Sequence, residues 1–544
     1  MLPSKRLDRI ARIRSLLPAS IGTRHRLFAA WMLCAAAASV FLGAEFAPTV
    51  DTPAHLAMVS VLRELGHGGV LDAHFEFGVF PAPNSLFYIL GFGLSSLFDI
   101  ATSGVMLFVL AIALVCGGFA SLLAALGKNP LGALAVLPFV VQWPLVEGFI
   151  DFYLGIGLVF LLLSAVLNRI RGHGKRRRWW IVTGSILVFL AHVHAMLFFG
   201  LALGVIIATS LLLRPSALRV RQALTVMALS LGPMAVLTVI WLAVGDASSA
   251  TSGTTIHFSA DDRLNSLVAG PLEFAGEHGA ILIAIGLLCV ILFRAMTALA
   301  ARSEAPIAED ERTTWVTGSQ VFLLVFLALN LAAVLWMPNN IGGYWSIHVR
   351  FVPMTWFMTL ALMIPAAPPE RATSDLRRWR WAALVTAPLL VAAVVASMSF
   401  SKSVTSWNAY TTGLREVLAA APKGGSLFTV LEPGSIEAGT GFRGELWRHV
   451  GQYYTALNLG VTSFSFGWHP GRIVAEAPRR AHFIERGFLG DFKRMDTHGC
   501  FDVILQLGQT DLKALRKDVH LLRRSGYWAT WKVARVCDPA VTGL

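Results

Sequence analysis

The chain has 544 residues, of which 55% are hydrophobic and only 14% charged, and its mean hydropathy is +0.64. Soluble domains carry about 25% charged residues, so this composition excludes an ordinary soluble globular protein. The net charge of +13 does not by itself indicate nucleic acid, because Lys and Arg in a membrane protein mark the cytoplasmic loops.

Residues 1–26 carry Lys5, Arg6, Arg9, Arg12, Arg14, Arg24 and Arg26 against the single acid Asp8, which places the N-terminus in the cytoplasm. The first apolar run, roughly 27–47, has no small-residue cleavage site and reads as a retained signal anchor. Residues 49–84 form a first outer loop. Within it, Asp51 or Thr52 suits an N-cap and Pro53 the first helical position, with His55 one turn on. Further apolar segments run roughly 85–99, 103–126, 131–146, 150–167, 179–193, 195–213, 222–243, 279–297, 316–337, 350–366 and 381–399. Basic clusters at 168–178, at Arg214, Arg219 and Arg221, and at Arg371, Arg377, Arg378 and Arg380 mark inside loops. The loop 244–278, whose only Lys or Arg is Arg263, lies outside. These sides agree if 85–126 makes an odd number of crossings, with its short first segment a half-span or re-entrant helix. The count comes to about 11–13 membrane segments, each near the ~20 residues a span requires.

Residues 401–544 form a small α/β domain on the outer side. Ser426–Leu431, Phe501–Leu507 and Tyr527–Val536 read as strands, and Asp511–Leu522 as an amphipathic helix. Cys34, Cys116 and Cys289 lie in apolar runs and read as small buried hydrophobes. Cys500 and Cys537 lie in the outer domain, where a disulfide is allowed.

Sidedness brings four polar groups to one face. Asp51 and His55 follow the first span. Glu147 and Asp151 sit in a turn between spans. His192 and His194 interrupt an apolar run that must bend back outside. Asn339, Asn340, Tyr344, His348 and Arg350 precede a late span. Carboxylates, imidazoles and a guanidinium at one depth are what an interfacial active site needs. Each also has a plain structural reading: a helix cap for Asp51, loop carboxylates for Glu147 and Asp151, helix-end imidazoles for His192 and His194, and a snorkelling Arg350.

In order and sidedness the chain resembles the GT-C superfamily of integral membrane glycosyltransferases. The resemblance rests on Asp51-Thr52-Pro53-Ala54-His55-Leu56, on Gly148-Phe149-Ile150-Asp151-Phe152-Tyr153-Leu154-Gly155, on Ala191-His192 and on Arg350-Phe351, and covers roughly residues 27–400. It implies a multi-pass protein of the bacterial inner membrane, N-terminus inside and C-terminal domain outside. Such a protein moves a sugar from a polyprenyl-phosphate donor to a glycan, lipid or protein acceptor. It implies Asp51 as the base, with His55 as a second member of the site. Arg350 becomes the clamp on the donor phosphate, assisted by His192 and His194, and Glu147 or Asp151 orients the acceptor or holds a divalent metal ion. Many superfamily members carry two adjacent acids in the first loop; here Asp51 is followed by Thr52, which weakens a metal-dependent reading.

Other classes predict other patterns. A flippase for a lipid-linked saccharide places ionisable groups at mid-membrane and shows repeat symmetry, whereas here few charges fall within spans and no repeat is present. An O-antigen ligase or polymerase has one dominant late outer loop and no comparable C-terminal domain. A catalytically silent scaffold of a polysaccharide assembly system fits the missing second acid.

Overall fold

A computed structural model describes residues 21–171, 178–213, 217–244, 256–257, 263, 266–267, 279–302, 310–341, 346–365, 376–432, 448–462, 474–476, 487–488, 501–515 and 517–534. Residues 1–20 of the basic N-terminal stretch, most of the loop 244–278, Tyr344, Cys500 and Cys537 lie outside them. Cys34, Cys116 and Cys289 are buried thiols.

The protein is a helical membrane protein. Seven helices among the described residues are long and apolar enough to cross a membrane, and four shorter apolar helices accompany them. In chain order, α1 (Ile21–Ala38) ends in a 3₁₀ turn to Gly43, α2 is Thr52–Glu64, β1 is Phe75–Phe77, α3 is Ser85–Ser95 and α4 is Ile100–Ala125. The 11 residues of α3 reach about 16 Å at 1.5 Å per residue, about half a ~30 Å hydrocarbon core. That matches the short segment expected there. Asp99 caps α4 through the amides of Ala101 and Thr102, which starts the helix sharply after the short one.

The segment 131–146 is not the continuous span its hydropathy indicates. It is a 3₁₀ turn (Pro130–Val136) followed by two single turns, Leu137–Val140 and Trp143–Val146. Pro138 and Pro144 each remove a backbone donor and obstruct the turn before them, and the segment is buried in protein rather than left to lipid. Then come α5 (Ile150–Ile170), α6 (Arg178–Ala191), α7 (Val193–Leu213), α8 (Ala217–Val244), β2 (Ile256–His257), α9 (Gly279–Arg302), α10 (Asp310–Trp336), β3 (Asn340–Ile341), α11 (Phe351–Met363) and α12 (Leu376–Thr411). Helices α4 and α5 close on each other through glycine: a Cβ on Gly118 would lie 2.5 Å from the Gly157 carbonyl oxygen, and one on Gly157 2.7 Å from the Leu114 backbone. Such small residues let helices approach where no hydrophobic drive exists between them.

Past residue 400, α12 continues to Thr411 and leads into α13 (Leu414–Ala419), β4 (Ser426–Leu431), α14 (Gln452–Asn458), β5 (Val461–Thr462), β6 (Val474–Glu476), β7 (Gly487–Phe488), β8 (Val503–Leu507), β9 (Val519–Ser525) and β10 (Trp528–Val533). The sheet runs β5-β4-β8-β10-β9, with β7 also pairing β4. β4 and β8 are parallel, and β10 is antiparallel to both its neighbours. The fully buried β4 and β8 are the continuous apolar runs that the sequence marks. The expected helix 511–522 is instead one turn, Leu512–Leu515, followed by β9. The hairpin turn at Gly526, with φ of +58°, folds Val519–Ser525 back onto β10, and ladder pairing overrides a helical pattern only three turns long.

The C-terminal region is docked on the segment between Gly43 and Phe77. Trp407 donates from Nε1 to the Phe46 carbonyl at 2.8 Å, and Asn408 bonds both Gly43 O (2.7 Å) and Glu45 N (3.0 Å). The Ser60 hydroxyl donates to Ala456 O at 2.9 Å, and β1 pairs with β6. The Phe46 ring sits 4.5 Å from that of Tyr453.

Candidate active site

Asp51 stands at the head of α2, with Pro in the first turn, as the Asp-Thr-Pro order dictates. Its side chain makes no capping bond to that helix. Oδ1 lies 3.3 Å from His449 Nε2, and both groups are nearly enclosed, 13% and 5% exposed. The Asp51 amide instead donates to Glu147 O at 2.8 Å, and the Val50 amide to Val146 O at 2.9 Å. Gly148 completes this clasp. Its φ of +100° is left-handed, and a Cβ there would come within 2.7 Å of the Asp51 nitrogen. Only glycine accommodates both conditions.

The same turn supports the guanidinium. Arg350 ends a short 3₁₀ turn (His348–Arg350) ahead of α11, and its Cζ lies 4.4 Å from the centroid of the Phe149 ring. Two bonds to the 339–340 stretch fix the turn: Ile347 N donates to Asn339 O (2.9 Å) and Ser346 N to Asn340 Oδ1 (3.3 Å). The loop 244–278 joins this face through Arg263, which donates to Leu335 O, and through β2 paired with β3. Arg350 and His348 are both buried.

The run from 179 to 213 breaks at His192, the residue between α6 and α7. His192 Nδ1 accepts the amide of His194 at 3.0 Å and so caps the start of α7. In the neutral ring that assigns the proton to Nε2, which faces Arg350 Nη1 at 3.5 Å. Arg350 Nη1 in turn donates to His194 Nδ1 at 3.3 Å. Arg350 Nη1 and His192 Nε2 thus face each other as two donors, a juxtaposition that an anion accepting from both would relieve. Phe152 packs against both imidazoles, with ring centroids 5.3 and 6.3 Å away. Gly155 admits α7 beside it, since a Cβ there would lie 2.6 Å from that of Ala195.

Asp151 is buried at the head of α5, and its Oδ1 accepts the amide of Phe152 at 2.8 Å. Glu147 contributes its backbone carbonyl to Asp51, as above. His55 turns its Nδ1 to the Tyr88 hydroxyl at 3.0 Å, with the Phe87 ring 5.0 Å away. Asp51, Glu147, Arg350, His192 and His194 are thus linked through the turn 147–149, while the His55 ring meets α3. No group of three or more His, Cys, Asp or Glu among the described residues is placed to hold a metal ion. Beside the Asp51 carboxylate stands one imidazole, that of His449.

Two contributors have no sequence-level mark. His449 is far along the chain in a polar stretch without motif. Phe149 belongs to the Gly-Phe motif, but nothing local assigns its ring to Arg350.

The chain is similar to two solved structures of ArnT from Cupriavidus metallidurans. The apo form matches with a TM-score of 0.48 at 11% identity over 92% of this chain and 97% of the other. The form bound to undecaprenyl phosphate matches with 0.49 at 11% identity over 94% and 98%. No family model matches the chain, and no curated protein does.

Proposed function

We propose that this chain is a GT-C-like glycosyltransferase that moves a sugar from a polyprenyl-phosphate donor to an envelope glycan, lipid or protein at the outer face of the bacterial inner membrane. One observation carries the reading. A carboxylate that makes no capping bond to its own helix and a buried guanidinium, Arg350, flanked by His192 and His194, are joined through a single turn. Sugar transfer needs both functions. As the bond between the anomeric carbon and the phosphate oxygen breaks, charge develops on the departing phosphate, and donors fixed beforehand stabilise it. As the bond to the acceptor oxygen forms, the acceptor hydroxyl loses its proton, which Asp51 takes. Glu147 or Asp151, near the same turn, orients the acceptor or holds a divalent metal ion.

The test uses the full-length chain in lipid vesicles with a panel of polyprenyl-phosphate hexoses and pentoses, reading release of polyprenyl phosphate and labelling of an envelope extract. Asp51→Asn should lower turnover by ~10³-fold, within the range of lost general-base catalysis, with expression and melting temperature near those of the unsubstituted chain. Full activity in that variant removes Asp51 as the base. Release from no donor in the panel, together with movement of labelled lipid across the vesicle, would favour a flippase.

A further inference from the structure

The C-terminal domain reaches into this site with one side chain. His449 lies in the turn ahead of α14, where its carbonyl accepts the Gln452 amide at 2.9 Å. Two contacts fix that turn from opposite sides. Gly451 is pressed on β4, where a Cβ would meet the Thr429 hydroxyl. Helix α14 lies along α2, joined by Ser60 to Ala456, and its Tyr453 ring packs tilted against Phe46 ahead of α2. The imidazole is thereby held against Asp51 by the domain's own fold, with Nε2 at 3.3 Å from Oδ1.

Docking of the domain does not call for this pair. The hydrogen bonds of Trp407, Asn408 and Ser60 and the pairing of β1 with β6 already join the two regions. Burying a carboxylate beside an imidazole contributes less to stability than an apolar contact of the same volume. Such a pair makes sense where the carboxylate has work to do.

We infer that His449 is a positioning residue for Asp51, so that the site is complete only with the C-terminal domain in place. The inference rests on the reading of Asp51 as the base. Nε2–H directed at Oδ1 fixes the plane of the carboxylate and leaves Oδ2 to take the acceptor's proton. An imidazole in this place orients a group that reacts without itself touching the sugar, much as the third member of a hydrolase triad orients its base.

Two measurements on the full-length chain test it. In the polyprenyl-phosphate release assay, using the best donor of the panel, His449→Ala should lower kcat by ~100-fold, the scale of a misplaced catalytic group, and leave the donor KM within a factor of about two. His449→Gln retains an N–H at the place of Nε2 and should recover about tenfold of that loss. A double-mutant cycle on melting temperature with Asp51→Ala and His449→Ala should show losses that do not add, the mark of groups in contact. An unchanged kcat in His449→Ala overturns the inference, as does a kcat loss that Gln fails to restore or a cycle that adds. Should His449→Ala not fold, His449→Gln alone decides: kcat must stay well above that of Asp51→Asn. If the unsubstituted chain releases nothing from any donor, the transferase reading has failed. That outcome is distinct from an active chain indifferent to position 449.

Discussion

Asp51 is held less by its own side chain than by its backbone. The amide bond to Glu147 and the close approach of Gly148 place the carboxylate, and substitutions in the turn therefore act on Asp51 at a distance. Gly148→Ala meets two obstacles, a φ of +100° and a Cβ 2.7 Å from the Asp51 nitrogen. The left-handed conformation alone costs an L-residue ~1–2 kcal/mol, and the crowding is relieved only by moving Asp51. Expected is a turnover lower by ~10²-fold, since displacement by about 1 Å suffices for that, with the protein still folded and membrane-inserted. Arg350→Lys tests the other half. Lysine keeps the charge but lacks the flat guanidinium that lies over Phe149 while Nη1 donates to His194. The donor KM should rise by about tenfold, a change of ~1.4 kcal/mol, and an unchanged KM would remove Arg350 from the phosphate site. At this scale the sequence marks Asp51 well, because Asp-Thr-Pro after an apolar run carries its own conformational meaning. It leaves His449 and the Phe149 ring unmarked, because their roles arise from contacts between segments far apart in the chain.

Helix ends govern what the elements do. α4 begins at Asp99, whose carboxylate accepts from Ala101 and Thr102 and also meets Arg415 Nη2 at 3.2 Å, and Arg415 reaches Glu45 at 3.4 Å. Partial burial pushes the Asp99 carboxyl upward, but the Thr102 hydroxyl and amide and the Arg415 guanidinium outweigh it, and the group sits below its ordinary range. A carboxyl whose folded value is depressed gives its full stabilisation above the unfolded value, about 3.9. That stabilisation is lost as pH falls through the folded value. Asp99→Asn should flatten the acid side of the melting-temperature profile below about pH 4. Asp99→Ala should cost about 1 kcal/mol at neutral pH for the lost cap, with little added for the exposed, solvent-screened ion pair. The α4–α5 contact is less forgiving. Gly157→Val inserts three carbons where even a Cβ meets the Leu114 backbone, and overpacking of ~1–3 kcal/mol should appear as a lower melting temperature in detergent. Long helices are legible in the sequence because apolar length carries them. The prolines of 131–146 and the β9–β10 hairpin were misread because local hydropathy and a three-turn helical pattern are weak beside chain breakers and ladder pairing.

At the scale of the molecule, the boundary between membrane part and C-terminal domain is a boundary of composition but not of packing. α12 runs through it without a break to Thr411, and one contiguous buried cluster includes Phe41 from the 3₁₀ turn after α1, Phe46 from the stretch ahead of α2, Phe400, Trp407 and Tyr410 from α12, and Leu427, Tyr453 and Trp528 from the domain. Sidedness read from Lys and Arg brings the outer loops and the C-terminal domain to one side of the membrane. It says nothing of whether they touch, since surface complementarity between distant segments leaves no periodic signature. The physical consequence is cooperative. Two regions that share a core cannot lose one part without exposing the apolar surface of the other, so unfolding one removes support for its neighbour. Calorimetry of the full-length chain in detergent should therefore show the C-terminal sheet and the first outer loop melting in one transition. Trp407→Phe probes the coupling while keeping an aromatic ring in place. It deletes the Nε1 bond to Phe46 O and leaves that buried carbonyl without its donor, at a cost of ~1–3 kcal/mol. If the regions are coupled, that loss shifts the single transition to lower temperature and lowers transfer along with it, because Phe46 and Asp51 lie in the same loop. A separate low-temperature transition in the variant, with activity retained through it, would show instead that the domain melts away from a membrane part able to keep the site together alone.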